Sequence, residues 1–204
     1  MILPRSPSLA GSSADAGDGG TDPRMVTPSQ TVGPYFRIGE EWLYHADLTA
    51  GAEGPRLTVS GRVLDGDGKP VEDALLEIWH ADPRGRYPEV SSRPGLAGFG
   101  RVATDDRGAF SFTVRKPGRV PGPEGTLQAP HLALNVFMRG LLRHLVTRLY
   151  FPDELEANVA DPVLALVEPA RRATLVARAD PGDPGRLRWD VVLQGADETV
   201  FFDC

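Results

Sequence analysis

Chemistry in this chain has to come from a short list of side chains. The four histidines, His45, His80, His131 and His144, are the first candidates for a metal centre. Such a centre needs several donors converging from different elements. No two of these histidines form a local ligand motif: His131 and His144 are far apart in sequence, and His80 stands beside Asp82 at the end of an apolar run. There is no cysteine pair, no His-Glu-x-x-His and no acidic calcium loop. Taken singly, each histidine reads as a hydrogen-bonded structural residue before it reads as a ligand. A Gly-x-Ser-x-Gly elbow and a phosphate-cradling loop are also missing, and Gly66 and Gly68 belong to a hairpin turn.

Two other residues have chemistry in them. Tyr35 follows Gly33-Pro34 in Thr27-Pro-Ser-Gln-Thr-Val-Gly-Pro-Tyr35, a segment too rich in proline and glycine to be a helix. Proline fixes φ, so a hydroxyl can be presented there with little loss of entropy. The plainer reading is an aromatic ring packed on a sheet. Arg139 follows the apolar stretch ending at Met138 and precedes Gly140. An arginine at a strand end can clamp a carboxylate with two prongs; otherwise it is a solvated surface residue.

The elements that would position these residues are strands. Leu57, Val59, Gly61 and Val63 alternate with Thr58, Ser60 and Arg62, the period of a half-buried strand. Asp65-Gly-Asp-Gly68 is a turn. Val71–His80 reads as a second strand, with Leu76 and Ile78 on one face. A turn at Thr104–Gly108 leads into Phe110, Phe112 and Val114. The stretch from His131 to Met138 is apolar on both faces, as a central strand is. Leu145–Phe151 and Leu187–Leu193 are two more strands, with Trp189 and Val191 on one face. Helical signals are few: Asp161-Pro162 resembles an N-cap with proline behind it, and Pro169–Ala177 reads as a short helix exposing Arg171 and Arg172. The pattern predicts an all-β, antiparallel β-sandwich with a few short helices.

Residues 1–25 are small and polar and predict a disordered extension ahead of one domain, residues 26–204; Met25 is a second candidate start. The chain has 204 residues, 41% of them apolar, with 23 glycines and 19 prolines, so core and turns are both amply supplied. A net charge of -6 with scattered Lys and Arg argues against a nucleic-acid partner. No apolar run reaches the roughly 20 residues a membrane span needs. The single cysteine, Cys204, allows no internal disulfide and fits a cytoplasmic location.

Set in order, several segments resemble the intradiol ring-cleavage dioxygenases. They are Thr27–Tyr35, Gly61-Arg-Val-Leu-Asp-Gly-Asp-Gly68, Leu76-Glu-Ile-Trp-His-Ala-Asp82, Gly98-Phe-Gly-Arg-Val-Ala-Thr-Asp105, Lys116-Pro-Gly118, Ala129-Pro-His131, Thr147-Arg-Leu-Tyr-Phe151 and Glu198-Thr-Val-Phe-Phe-Asp203. The resemblance implies a ferric ion held by two tyrosines and a His-x-His pair. Here that pair corresponds to His131-Leu132-Ala133, so His131 is a vestigial ligand position. The tyrosine expected after Lys-Pro-Gly is replaced near Val120, and Tyr87 matches a tyrosine ahead of the other ligand loop, not the ligand.

The resemblance therefore implies an alpha-type chain that binds no metal and has no catalytic residue of its own. Fe(III) would sit on a partner beta chain in a hetero-oligomer. Thr31, Pro34, Tyr35 and Arg139 would line the pocket for a small aromatic substrate, 3,4-dihydroxybenzoate, which O2 cleaves to 3-carboxy-cis,cis-muconate. The competing expectation is a non-enzymatic transthyretin-like or carbohydrate-binding β-sandwich module. The hairpins alone fit that equally well, whereas the opening and terminal motifs do not.

Overall fold

The computed structural model describes the backbone of Leu3–Pro4 and residues 30–203, apart from Val32, Pro34, Arg37, Glu40, 51–52, 89–97 and the Trp42 side chain. In chain order the strands are β1 (Leu3–Pro4), β2 (Arg56–Leu64), β3 (Leu75–Trp79), β4 (Phe99–Ala103), β5 (Ala109–Arg115), β6 (Val120–Pro121) and β7 (Leu127–Gln128). They continue with β8 (His131–Phe137), β9 (Leu145–Tyr150), β10 (Arg178–Asp180), β11 (Asp183–Arg188), β12 (Val191–Val192) and β13 (Phe202–Asp203). Of the expected extension 1–25, β1 alone is described, and it pairs with β13; the rest lies outside the described residues.

One sheet runs β1-β13-β9-β8-β3-β4, with every pair antiparallel. The second is built around β2, which pairs along its length with β5. The other edge of β2 takes β11 and then β12, both parallel to it, and β10 pairs with β11. The sequence pattern predicts antiparallel strands, and these two ladders are the exception.

The expected strand Leu187–Leu193 is split, because Trp189 and Asp190 step out between β11 and β12. The Trp189 N–H donates to the Ser60 carbonyl, and the Asp190 carboxylate accepts the Arg62 N–H. A Cβ at Gly61 would lie 1.7 Å from the Trp189 carbonyl oxygen, so this close approach requires glycine. Trp189 and Val191 both enter the core, as their shared face predicts.

The main core fills the space between the sheets. Val59, Val63, Phe112 and Val114 come from one side, and Leu76, Ile78, Leu132, Leu134 and Leu149 from the other. A smaller cluster covers the outer face of the first sheet. There Tyr150, Ala129 and Phe202 meet Val163, Leu164, Val167 and Leu175.

That cover comes from α1 (Leu155–Val159) and two 3-10 segments, Leu164–Leu166 and Pro169–Leu175. Asp161 does cap, accepting the Val163 and Leu164 N–H groups, although the segment it opens is a single 3-10 turn. Arg171 and Arg172 are half-buried and not exposed as their spacing predicts. Arg171 reaches Glu198, while Arg172 donates to the carbonyls of Val167 and Ala165. Backbone acceptors at this end of the fold draw both chains inward.

Candidate functional site

His131 opens β8 and is buried against the Tyr150 ring, with centroids 5.8 Å apart. Its Nδ1–H donates to the Ala129 carbonyl at 2.8 Å, because a carbonyl only accepts. That leaves the Nε2 lone pair facing the Tyr87 hydroxyl at 3.5 Å. Burial, with the Arg148 charge behind it, brings the imidazole pKa down to about 4. His131 is therefore neutral at neutral pH.

Tyr87 is placed by the turn before it. The Asp82 carboxylate accepts the Arg84 and Arg86 N–H groups, and Gly85 takes φ +76° with the Arg119 carbonyl pressed against it. The ring then stacks on Trp79, with centroids 6.1 Å apart and planes 3° from parallel. Burial raises the Tyr87 pKa, so the phenol keeps its proton.

Arg148 lies on β9, buried beside these groups. Its Nη1–H groups donate to Gln128 at 2.7 Å and to the Tyr150 hydroxyl at 3.4 Å. The Tyr150 hydroxyl donates in turn to Asp161 at 3.1 Å. Asp161 is fully buried and also accepts the Ala129 N–H, so this carboxylate ties the outer cover to the start of β8.

The other expected residues lie at the far end of β8. Seven residues of strand separate the two ends by about 20 Å. Phe36 stacks on Phe137 at 6.3 Å, which brings the opening segment to this edge. Tyr35 is 78% exposed there. Thr31 is exposed, its hydroxyl accepting the Gly33 N–H. Pro34 lies outside the described residues. Arg139 leaves the strand end exposed, its guanidinium held by Asp73 with Glu72 3.9 Å away. The residues singled out in the sequence thus fall in two places: His131 at the start of β8, and Arg139 beyond its far end, where Phe36 brings the opening segment.

The remaining histidines each have a different setting. His80 is buried and donates Nδ1–H to the Ala81 carbonyl, His45 is exposed, and His144 stacks on Phe137. Among the described residues no three His, Cys, Asp or Glu side chains group as a metal site needs. Among the described residues around His131 the donors are one imidazole and two phenols, Tyr87 and Tyr150. Burial keeps both phenols protonated, the Tyr150 hydroxyl is committed to Asp161, and a guanidinium lies beside them. These residues do not fit a ferric ion.

Sequence reading missed Arg148 and Gln128. The available signal was a charge inside Leu145–Phe151, where its neighbours Thr147 and Leu149 are fully buried.

A family described as dioxygenase matches residues 34–195. The chain belongs to that dioxygenase family. The resemblance read from the sequence is borne out. The chain is 47% identical over 194 residues to a protocatechuate 3,4-dioxygenase alpha chain of Burkholderia cepacia, covering 87% of this chain and 96% of that one. It is 36% identical over 160 residues to the beta chain from the same organism, covering 72% and 67%. Among solved structures, the dioxygenase domain of a dioxygenase–carbohydrate-binding fusion from Streptomyces sp. SirexAA-E superposes with a TM-score of 0.60 and 31% identity, covering 83% and 99%. The β-sandwich is the fold of such dioxygenases, and the alternative of a non-enzymatic module is not favoured.

Proposed function

We propose that this chain is the alpha subunit of a protocatechuate 3,4-dioxygenase, working in the cytoplasm beside an iron-bearing beta subunit. The observation that carries this reading is the likeness to an alpha chain over 96% of its length. The surroundings of His131, where both phenols keep their protons beside a guanidinium, support the same division of labour. Iron, bound by the partner, supplies the activation of the catechol and O2. Everything this chain adds is shape and charge.

In this reading Thr31, Pro34, Tyr35 and Arg139 face the partner's pocket. The exposure of Tyr35 and Arg139, and the Phe36–Phe137 contact that brings their segments to one edge, support it. The substrate carries a carboxylate opposite its two hydroxyls. A guanidinium already oriented by Asp73 offers that carboxylate a charge, and a tyrosine hydroxyl offers a hydrogen bond.

The test is reconstitution. The chain is produced alone and together with its beta partner, and bound iron, the phenolate-to-iron colour and ring cleavage are measured. The expected result is no stoichiometric iron and no colour on the lone chain, with both appearing alongside cleavage on co-assembly. Stoichiometric iron on the lone chain overturns the reading.

A further inference from the structure

The sheet register places three side chains in one row beside His131. Ala133, two residues after His131 on the same face of β8, stands directly opposite Arg148 on β9 and opposite Trp79 on β3. Cross-strand partners share a face, with Cβ atoms about 5 Å apart. The smallest side chain in this row therefore lies between an indole and a guanidinium. The indole also carries the stacked Tyr87 ring, whose hydroxyl faces His131.

Arg148 is only 8% exposed. Among the described residues no carboxylate pairs with it directly, and its charge reaches Asp161 only through the Tyr150 hydroxyl. Asp161 itself is occupied by three backbone N–H groups besides that hydroxyl. A buried cation held mainly by neutral groups is an unusual arrangement. It sits where a ligand side chain is missing.

We propose that Arg148 is a built-in cation that takes the place of a metal ion in this chain's own centre. The loss of metal binding is then electrostatic as well as a matter of missing donors. Restoring a histidine at position 133 does not suffice while the guanidinium remains. The inference rests on the reading that His131-Leu132-Ala133 corresponds to the family's His-x-His pair. It does not depend on which partner the chain assembles with.

The test is Co(II) titration of the full chain, followed by calorimetry and by the visible absorption of ligated cobalt. The variants are Ala133→His, Ala133→His with Arg148→Gln, and Ala133→His with Arg148→Lys; thermal unfolding confirms that each is folded. Arg148→Met replaces the glutamine variant if that one does not fold. The expected result is that Ala133→His and its lysine companion bind Co(II) no better than the parent chain. The Arg148→Gln companion should bind at least about tenfold more tightly, since it removes a like charge from a shielded site. Equal binding by Ala133→His alone and with Arg148→Gln overturns the proposal. So does a neutral companion that binds no better than the parent. Because only affinity for a metal salt is read, failure here leaves the reconstitution result untouched.

Discussion

Tyr150 and Asp161 are joined by a buried hydrogen bond of 3.1 Å between the end of β9 and the cover that packs on it. Burial holds the phenol firmly protonated, so Tyr150 is always the donor and Asp161 the acceptor. The same carboxylate caps the Leu164–Leu166 turn and takes the Ala129 N–H. One side chain thus fastens three segments.

Replacing Asp161 with alanine leaves three backbone N–H groups and the Tyr150 hydroxyl proton without their acceptor in the interior. The expected loss is about 3 kcal/mol of stability, from the cost of unsatisfied buried donors. Equilibrium urea unfolding measures it, and a loss below about 1 kcal/mol contradicts the role given to this carboxylate.

His131 gives the fold a pH dependence. Its pKa falls from 6.5 to about 4 on folding. Between those values the unfolded chain binds a proton that the native chain does not. Stability is therefore fully present above pH 6.5 and declines as the pH falls towards 4, by up to about 3 kcal/mol. His80, also lowered by burial, acts in the same direction. His131→Gln should flatten the decline, as read by denaturant midpoints across that range; an unchanged slope contradicts the assignment.

Gly61 faces the Trp189 carbonyl at a distance that admits no Cβ. Gly61→Ala must push β2 away from the step between β11 and β12. The expected cost is about 1–3 kcal/mol, in the range of overpacked interiors. Thermal unfolding of the variant tests this, with Gly68→Ala as a control in which nothing lies within 4 Å of the added atom although φ is +76°.

In the co-assembled enzyme, Arg139→Ala should raise KM for the aromatic acid about tenfold, the value of a charge-assisted hydrogen bond partly exposed to water. Tyr35→Phe should have a smaller effect in the same direction. Steady-state kinetics settle both, and unchanged KM and kcat in Arg139→Ala remove that residue from the pocket.

Much of this was legible in the sequence because the main strands follow a two-residue period with one face in the core. Leu57–Val63 and Phe110–Val114 lie where their alternation places them, and His131–Met138, read as a central strand from its apolar faces, supplies β8 over His131–Phe137. The aspartate turns were legible for a related reason: Asp65 and Asp105 each accept the N–H groups two and four residues on, and each turn carries a glycine at positive φ. The Trp189 step was not, since it comes from a strand 128 residues away pressing on Gly61. Arg148 was hidden for the same reason: its opposition to Ala133 exists only once β8 and β9 pair in register.

The parallel ladder between β2 and β11 has a bearing on how the molecule is made. Its partners lie 128 residues apart, so the early strand cannot gain that edge until the segment through Arg188 has left the ribosome. Closing so large a loop is entropically slow. A nascent chain halted before Asp183 would carry an open strand edge, with chaperones and neighbouring nascent chains as the available takers.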